Sequence, residues 1–119
     1  MDKQTVLVVE DELLIRMSAV DMLEAAGFLA LEAPNADEAI ALIERRPDIR
    51  LVFTDIEMPG SMDGLRLVSA IRNRWPPIYL IVTSGRYQAK ELALPAGVAF
   101  IPKPYDWTGV NSRIRQLLT

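Results

Sequence analysis

Residues 6–12 read Val6-Leu7-Val8-Val9-Glu10-Asp11-Glu12. The first four are apolar, mostly β-branched and uninterrupted. That composition fits a strand buried on both faces rather than one with a solvated side. Three acids follow at once, and then a helical spacing begins. Ile15, Ala19, Met22, Leu23 and Ala26 recur at i, i+4, i+7, i+8 and i+11, and Gly27 supplies the stop. A buried strand, an acidic turn and a helix make the first half of a βαβ unit.

The alternation continues along the chain. Residues 28–32 suit a second, weaker strand. Asn35 is placed to cap a helix with Asp37 and Glu38 in its first turn and Ala39, Ile40 and Ile43 on its apolar face. Arg45 and Arg46 lie near its end and Pro47 closes it. Leu51-Val52-Phe53 is a third buried run, with Asp55 at its exit. The loop Met58-Pro59-Gly60-Ser61-Met62-Asp63-Gly64 leads to a third helix marked by Leu65, Val68 and Ile71 and stopped by Pro76 and Pro77. Residues 78–82 give a fourth strand, and 86–94 a short fourth helix ended by Pro95 and Gly97. Residues 98–101 give a fifth strand that exits into Pro102-Lys103-Pro104, and Val110, Ile114, Leu117 and Leu118 mark a last helix.

Five strands alternating with five helices predict an α/β domain with a parallel sheet and right-handed crossovers. Such sheets bind ligands outside the carboxyl ends of their strands. The polar residues gather at those exits: Glu10 and Asp11, Asp55, Thr83 and Ser84, and Lys103.

Composition narrows the chemistry. The chain has 119 residues, 13 Lys+Arg against 16 Asp+Glu, a formal charge of -3, and neither Cys nor His. Thiol catalysis, disulfides, Cys- or His-bound metals and His-based triads are excluded. The acidic balance argues against direct nucleic-acid binding. No apolar run approaches a membrane span, and the first is too short for a signal peptide, so a soluble cytoplasmic chain without membrane insertion is expected.

Carboxylates, hydroxyls and lysine remain. Three gathered carboxylates repel unless a cation or proton joins them. Mg²⁺ suits such a set, since it takes carboxylate oxygens and bridges to phosphate. A carboxylate can itself accept a phosphoryl group, with a lysine and a hydroxyl holding the other oxygens. The residues alone therefore suggest a Mg²⁺-dependent phospho-acceptor aspartate. Taken singly, each has a plainer reading. Glu10, Asp11 and Glu12 also suit a helix N-terminus, Lys103 a solvated lysine, Ser84 a helix cap and Phe100 ordinary core.

Taken jointly, VLVVEDE at 6–12, TDIEMPGSMDG at 54–64, TSG at 83–85 and FIPKP at 100–104 resemble the receiver domain of two-component response regulators. The likeness covers essentially the whole chain. It implies a flavodoxin-like receiver fold: a five-stranded parallel sheet in the order 2-1-3-4-5 flanked by five helices, with one receiver domain over residues 1–119. It implies Asp55 as phospho-acceptor. Mg²⁺ would be held by Glu10, Asp11, Asp55 and the backbone carbonyl of Glu57. Ser84 and Lys103 would contact the phosphoryl group, and Phe100 would be a switch residue following Ser84. The Lys103–Pro104 bond would be cis. Glu57 and Arg86 occupy positions that in similar receivers tune phosphoryl lifetime.

The implied partners are a sensor histidine kinase or histidine phosphotransfer protein as donor, and a downstream protein target. A homodimer through the face of the fourth helix, fifth strand and last helix is left open. Having no His, the chain takes the acceptor side of the transfer. With the receiver filling the chain, output is expected through protein contact or onward phosphoryl transfer.

Four departures stand out. Glu10 lengthens an acidic pair that is often Asp-Asp. The loop after Asp55 is one residue longer than the commonest form, with Ser61 the candidate insertion. Phe100 replaces a frequent Tyr. Thr83 beside Ser84 leaves two hydroxyls, of which strand alternation should choose one; Gly85 after Ser84 favours Ser84. Two other functions remain open, a Mg²⁺-dependent aspartyl phosphatase and an interaction domain that works without phosphorylation.

Overall fold

The apolar runs form strands because neither face of the sheet meets water. A computed structural model describes residues 3–58 and 63–119. In chain order the elements are β1 (Thr5–Val9), α1 (Leu13–Ala25), β2 (Leu29–Ala33), α2 (Ala36–Arg45), β3 (Ile49–Asp55), α3 (Gly64–Arg74), β4 (Tyr79–Ser84), β5 (Ala99–Pro102) and α4 (Trp107–Leu118). A 3₁₀ turn at Ala89–Glu91 lies between β4 and β5. All strand pairs are parallel and the order is β2-β1-β3-β4-β5.

Strand alternation divides the core in two. Leu7, Val9, Val52, Leu80 and Val82 face α2 and α3, where Ala39, Ile43, Leu67, Val68 and Ile71 meet them. Val6, Val8, Leu51, Phe53 and Ile81 face the other way and pack with Ala19 and Leu23 of α1 and Val110, Ile114 and Leu118 of α4. Leu23, Ile71 and Ile114 are fully buried, each contributing about 1.5–3 kcal/mol of transfer free energy.

Local signals set the helix ends. Asn35 accepts the Glu38 N–H at 2.9 Å while its Nδ2 donates to Glu38 Oε2 at 3.2 Å, a reciprocal cap for α2. Gly27 takes φ +97° just after α1, the left-handed conformation that glycine adopts without strain. On α1 itself, of the five residues expected on the apolar face only Ala19 and Leu23 are buried, and Met22 is exposed.

The expected fourth helix over 86–94 does not form, and among the described residues four α-helices flank the sheet rather than five. The segment does carry a start signal, since Arg86 and Tyr87 donate to Ser84 Oγ at 3.0 and 2.9 Å in the pattern of an N-cap. The Gln88 N–H goes to Glu91 Oε1 at 2.8 Å. Pro95 then disfavours helical geometry at Leu94, and too few residues remain to offset nucleation. Ser61 lies outside the described residues, so the placement of the extra loop residue does too.

Candidate functional site

Four parallel strands bring their carboxyl ends to one edge. Glu10 follows β1 directly, Asp55 ends β3, Ser84 ends β4 and Lys103 follows β5. The Ile56 N–H donates to the Thr83 carbonyl at 3.0 Å and the Lys103 N–H to the Ser84 carbonyl at 2.9 Å, extending the sheet pairing into the site. Gly64 lets α3 start here. A Cβ on it would lie 2.2 Å from the Asp55 carbonyl oxygen.

Ligand oxygens of Glu10, Asp11 and Asp55 lie within 4.8 Å of one another. Glu10 and Asp55 are buried and Asp11 is exposed. Asp55 Oδ1 accepts the Glu57 N–H at 3.1 Å, and Asp55 Oδ2 accepts from Lys103 Nζ at 2.7 Å. Lys103 Nζ is also 3.9 Å from Glu10 Oε1. Burial pushes the Glu10 carboxyl up to about 7, with Asp11 and Asp55 adding to the rise while the Glu12 N–H and Lys103 oppose it. For Lys103, burial works against the charged form, but the Asp55 hydrogen bond and the charges of Asp55 and Glu10 outweigh it and the pKa is raised.

One cation among three carboxylates leaves negative charge uncompensated. The donor set is all oxygen and closely grouped, which fits a hard divalent cation such as Mg²⁺.

Strand alternation places Ser84 on the face of Val82 and Thr83 on the face of Ile81. Ser84 Oγ donates to Glu57 Oε1 at 2.6 Å, whereas the buried Thr83 Oγ1 has no hydrogen-bond partner among the described residues. Phe100 is paired in register with Val82 and packs half-buried against the α2/α3-side cluster, as do Leu92, Leu94 and Val98. The Lys103–Pro104 bond is cis. Beyond it, Tyr105 stacks edge-on against Phe53 and Trp107, with ring centroids at 5.7 and 5.3 Å.

Two contributions escaped the sequence reading. Arg16, in the first turns of α1, donates from Nη1 to the Glu10 carbonyl at 2.9 Å and from Nε to Glu32 Oε1 at 2.9 Å. It ties the acidic turn to β2, and no motif marks it. The other is the contact of the Glu57 carboxylate with the Ser84 hydroxyl; the sequence marks Glu57 as a position that tunes phosphoryl lifetime in similar receivers and its backbone carbonyl as a metal contact, but not this hydrogen bond.

The family model described as the response regulator receiver domain matches residues 6–115. The sensor kinase CckA of Brucella abortus (strain 2308) is 33% identical over 118 residues, which is 96% of this chain and 12% of that protein. The receiver domain of the hybrid histidine kinase CckA superposes with a TM-score of 0.83 at 33% identity, over 97% of this chain and 99% of that one. A CheY-like response regulator receiver domain protein from Methanospirillum hungatei JF-1 superposes with a TM-score of 0.89 at 28% identity, over 98% and 94% of the two chains. Among curated relatives the chain spans between 12% and 50% of their length.

Proposed function

This chain belongs to the response regulator receiver family, and on that premise we propose that it is a phosphorylation-controlled switch whose acceptor is Asp55. The donor is a phosphohistidine on a kinase or phosphotransfer protein. A carboxylate oxygen of Asp55 bonds to phosphorus while the phosphorus–nitrogen bond breaks. The imidazole leaves with the electron pair and takes up a proton. The contact of Lys103 Nζ with Asp55 Oδ2, inside the group of three strand-end carboxylates, is the observation that carries this reading.

Each residue has a part. Lys103 is close enough to stay paired with the group as negative charge moves onto the phosphoryl oxygens. The Glu57 N–H orients the Asp55 carboxylate. Ser84 supplies a hydroxyl donor at the end of β4. Glu10, Asp11 and Asp55, with the Glu57 carbonyl, are the residues that would hold Mg²⁺. When bound, that ion supplies positive charge to the carboxylates and to the incoming phosphoryl oxygens.

The rim of the site supports docking of a partner. Leu13, Leu14 and Met17 on α1 are 56%, 79% and 48% exposed, directly after the acidic turn. A cluster of exposed large apolar side chains is the usual mark of an interaction face. Output would run through Ser84 and Phe100 to the segment at 85–98, β5 and α4, as a shift between two packings.

Incubation with acetyl phosphate and Mg²⁺ followed by intact mass measurement tests the reading. One added, base-labile phosphate is expected on the wild type and none on Asp55→Asn. Labelling of that variant at the wild-type level would overturn the assignment.

A further inference from the structure

We propose that the Glu57 side chain is a latch on Ser84, holding the hydroxyl that the phosphoryl group needs and thereby setting how fast Asp55 takes phosphate. This rests on the phospho-acceptor reading above. Ser84 Oγ accepts the N–H groups of Arg86 and Tyr87 and donates to Glu57 Oε1 at 2.6 Å. A hydroxyl has one proton to give. Here that proton is committed to a carboxylate, in the short, charge-assisted class of hydrogen bond. Glu57 Oε1 also accepts the Arg86 N–H at 3.2 Å, so the turn after β3 is pinned to the loop after β4.

The latch is built to open. Glu57 Oε2 is buried with no hydrogen-bond partner among the described residues, an unfavourable state for a carboxylate oxygen. The same residue donates its backbone N–H to Asp55 Oδ1 at 3.1 Å, so its carboxylate branches from the backbone next to the nucleophile. A phosphoryl group arriving on Asp55 brings a charge of about −1.5 to −2 and repels it. Released, the Ser84 proton turns to a phosphoryl oxygen. Glu57 is thus a positioning residue that acts through Ser84, and opening the latch is part of the barrier to phosphorylation.

The test uses the full chain, Mg²⁺ and acetyl phosphate. In this reaction the bond from Asp55 to phosphorus forms as the phosphorus–oxygen bond breaks and acetate leaves with the electron pair. Initial rates of phosphate gain are compared for wild type, Glu57→Ala, Glu57→Asp, Ser84→Ala and the double variant Glu57→Ala/Ser84→Ala. Asp keeps the charge but is one methylene too short to hold Ser84. The latch predicts that Glu57→Ala and Glu57→Asp both react about tenfold faster than wild type, a change equal to ~1.4 kcal/mol of barrier. In the Ser84→Ala background the gain from Glu57→Ala should vanish. Equal rates for wild type and Glu57→Asp, or the same gain in both backgrounds, would overturn the latch while leaving Asp55 as acceptor. No phosphate on the wild type would overturn the acceptor reading, and the latch with it.

Discussion

Lys103 Nζ lies 2.7 Å from Asp55 Oδ2 and is the one cation in contact with the strand-end carboxylates among the described residues. The pair joins the exits of β3 and β5 across the intervening β4. Removing the ammonium leaves Asp55 and Glu10 facing each other without compensation and, on the proposed reading, takes away a donor to the phosphoryl oxygens. Lys103→Ala should lower the rate of phosphorylation by acetyl phosphate about 100-fold, the usual scale for losing one preorganised donor. Initial rates by intact mass measure this, and a loss below about threefold would place Lys103 outside the chemistry.

The Glu10 carboxyl couples protons to stability. Its pKa rises on folding from 4.5 to about 7, so the folded chain keeps a proton that the unfolded chain has lost between those values. The stability this provides is complete below about 4.5 and is lost as the pH rises through about 7. Without a divalent cation, Glu10→Gln should therefore gain stability over wild type as the pH rises across that window, read as a growing difference in urea midpoints. With Mg²⁺ the order should reverse above about pH 7 if, as proposed, Glu10 is a ligand of the ion, because a carboxylate binds it more strongly than a neutral amide.

The parts of this molecule that could be read from the sequence are those that local physics decides. Val6-Leu7-Val8-Val9 can hardly be other than a doubly buried strand, and the exits of successive strands bring Glu10, Asp55, Ser84 and Lys103 to one edge as topology requires. The Asn35 cap and the Gly27 stop were equally legible. The segment at 86–94 was not: Ser84 caps its start as a helix would require, and a stretch so short before Pro95 is balanced between helix and turn, which no periodicity settles. Arg16 reaches across to β2, and the Glu57 side chain reaches a residue 27 positions away. Long-range side-chain contacts of this kind leave no periodic trace.

Gly64 is the place where the fold and the site compete for space. A Cβ there would lie 2.2 Å from the Asp55 carbonyl oxygen and 2.7 Å from Ile56 Cα, both backbone atoms with little freedom to move. Gly64→Ala should push α3 off the end of β3 and cost about 1–3 kcal/mol, the range for overpacking a close contact. Urea unfolding measures the loss. The displaced Asp55 backbone should also slow phosphorylation, so that stability and rate fall together.

A substitution at Leu14 would separate docking of a donor from the chemistry. Leu14 is 79% exposed on α1, two residues past the acidic turn, and belongs to neither buried cluster. If a phosphohistidine donor docks on Leu13, Leu14 and Met17, Leu14→Asp places a charge in the centre of a dry contact. Truncating or charging such an anchor typically costs about 2 kcal/mol or more in binding. Transfer from a cognate phosphorylated donor should therefore fall about tenfold further than labelling by acetyl phosphate, which needs no docking face. Parallel losses with the two donors would instead mean that the substitution disturbs the acidic turn itself. In that case the exposed face of α1 has no part in recognising the donor.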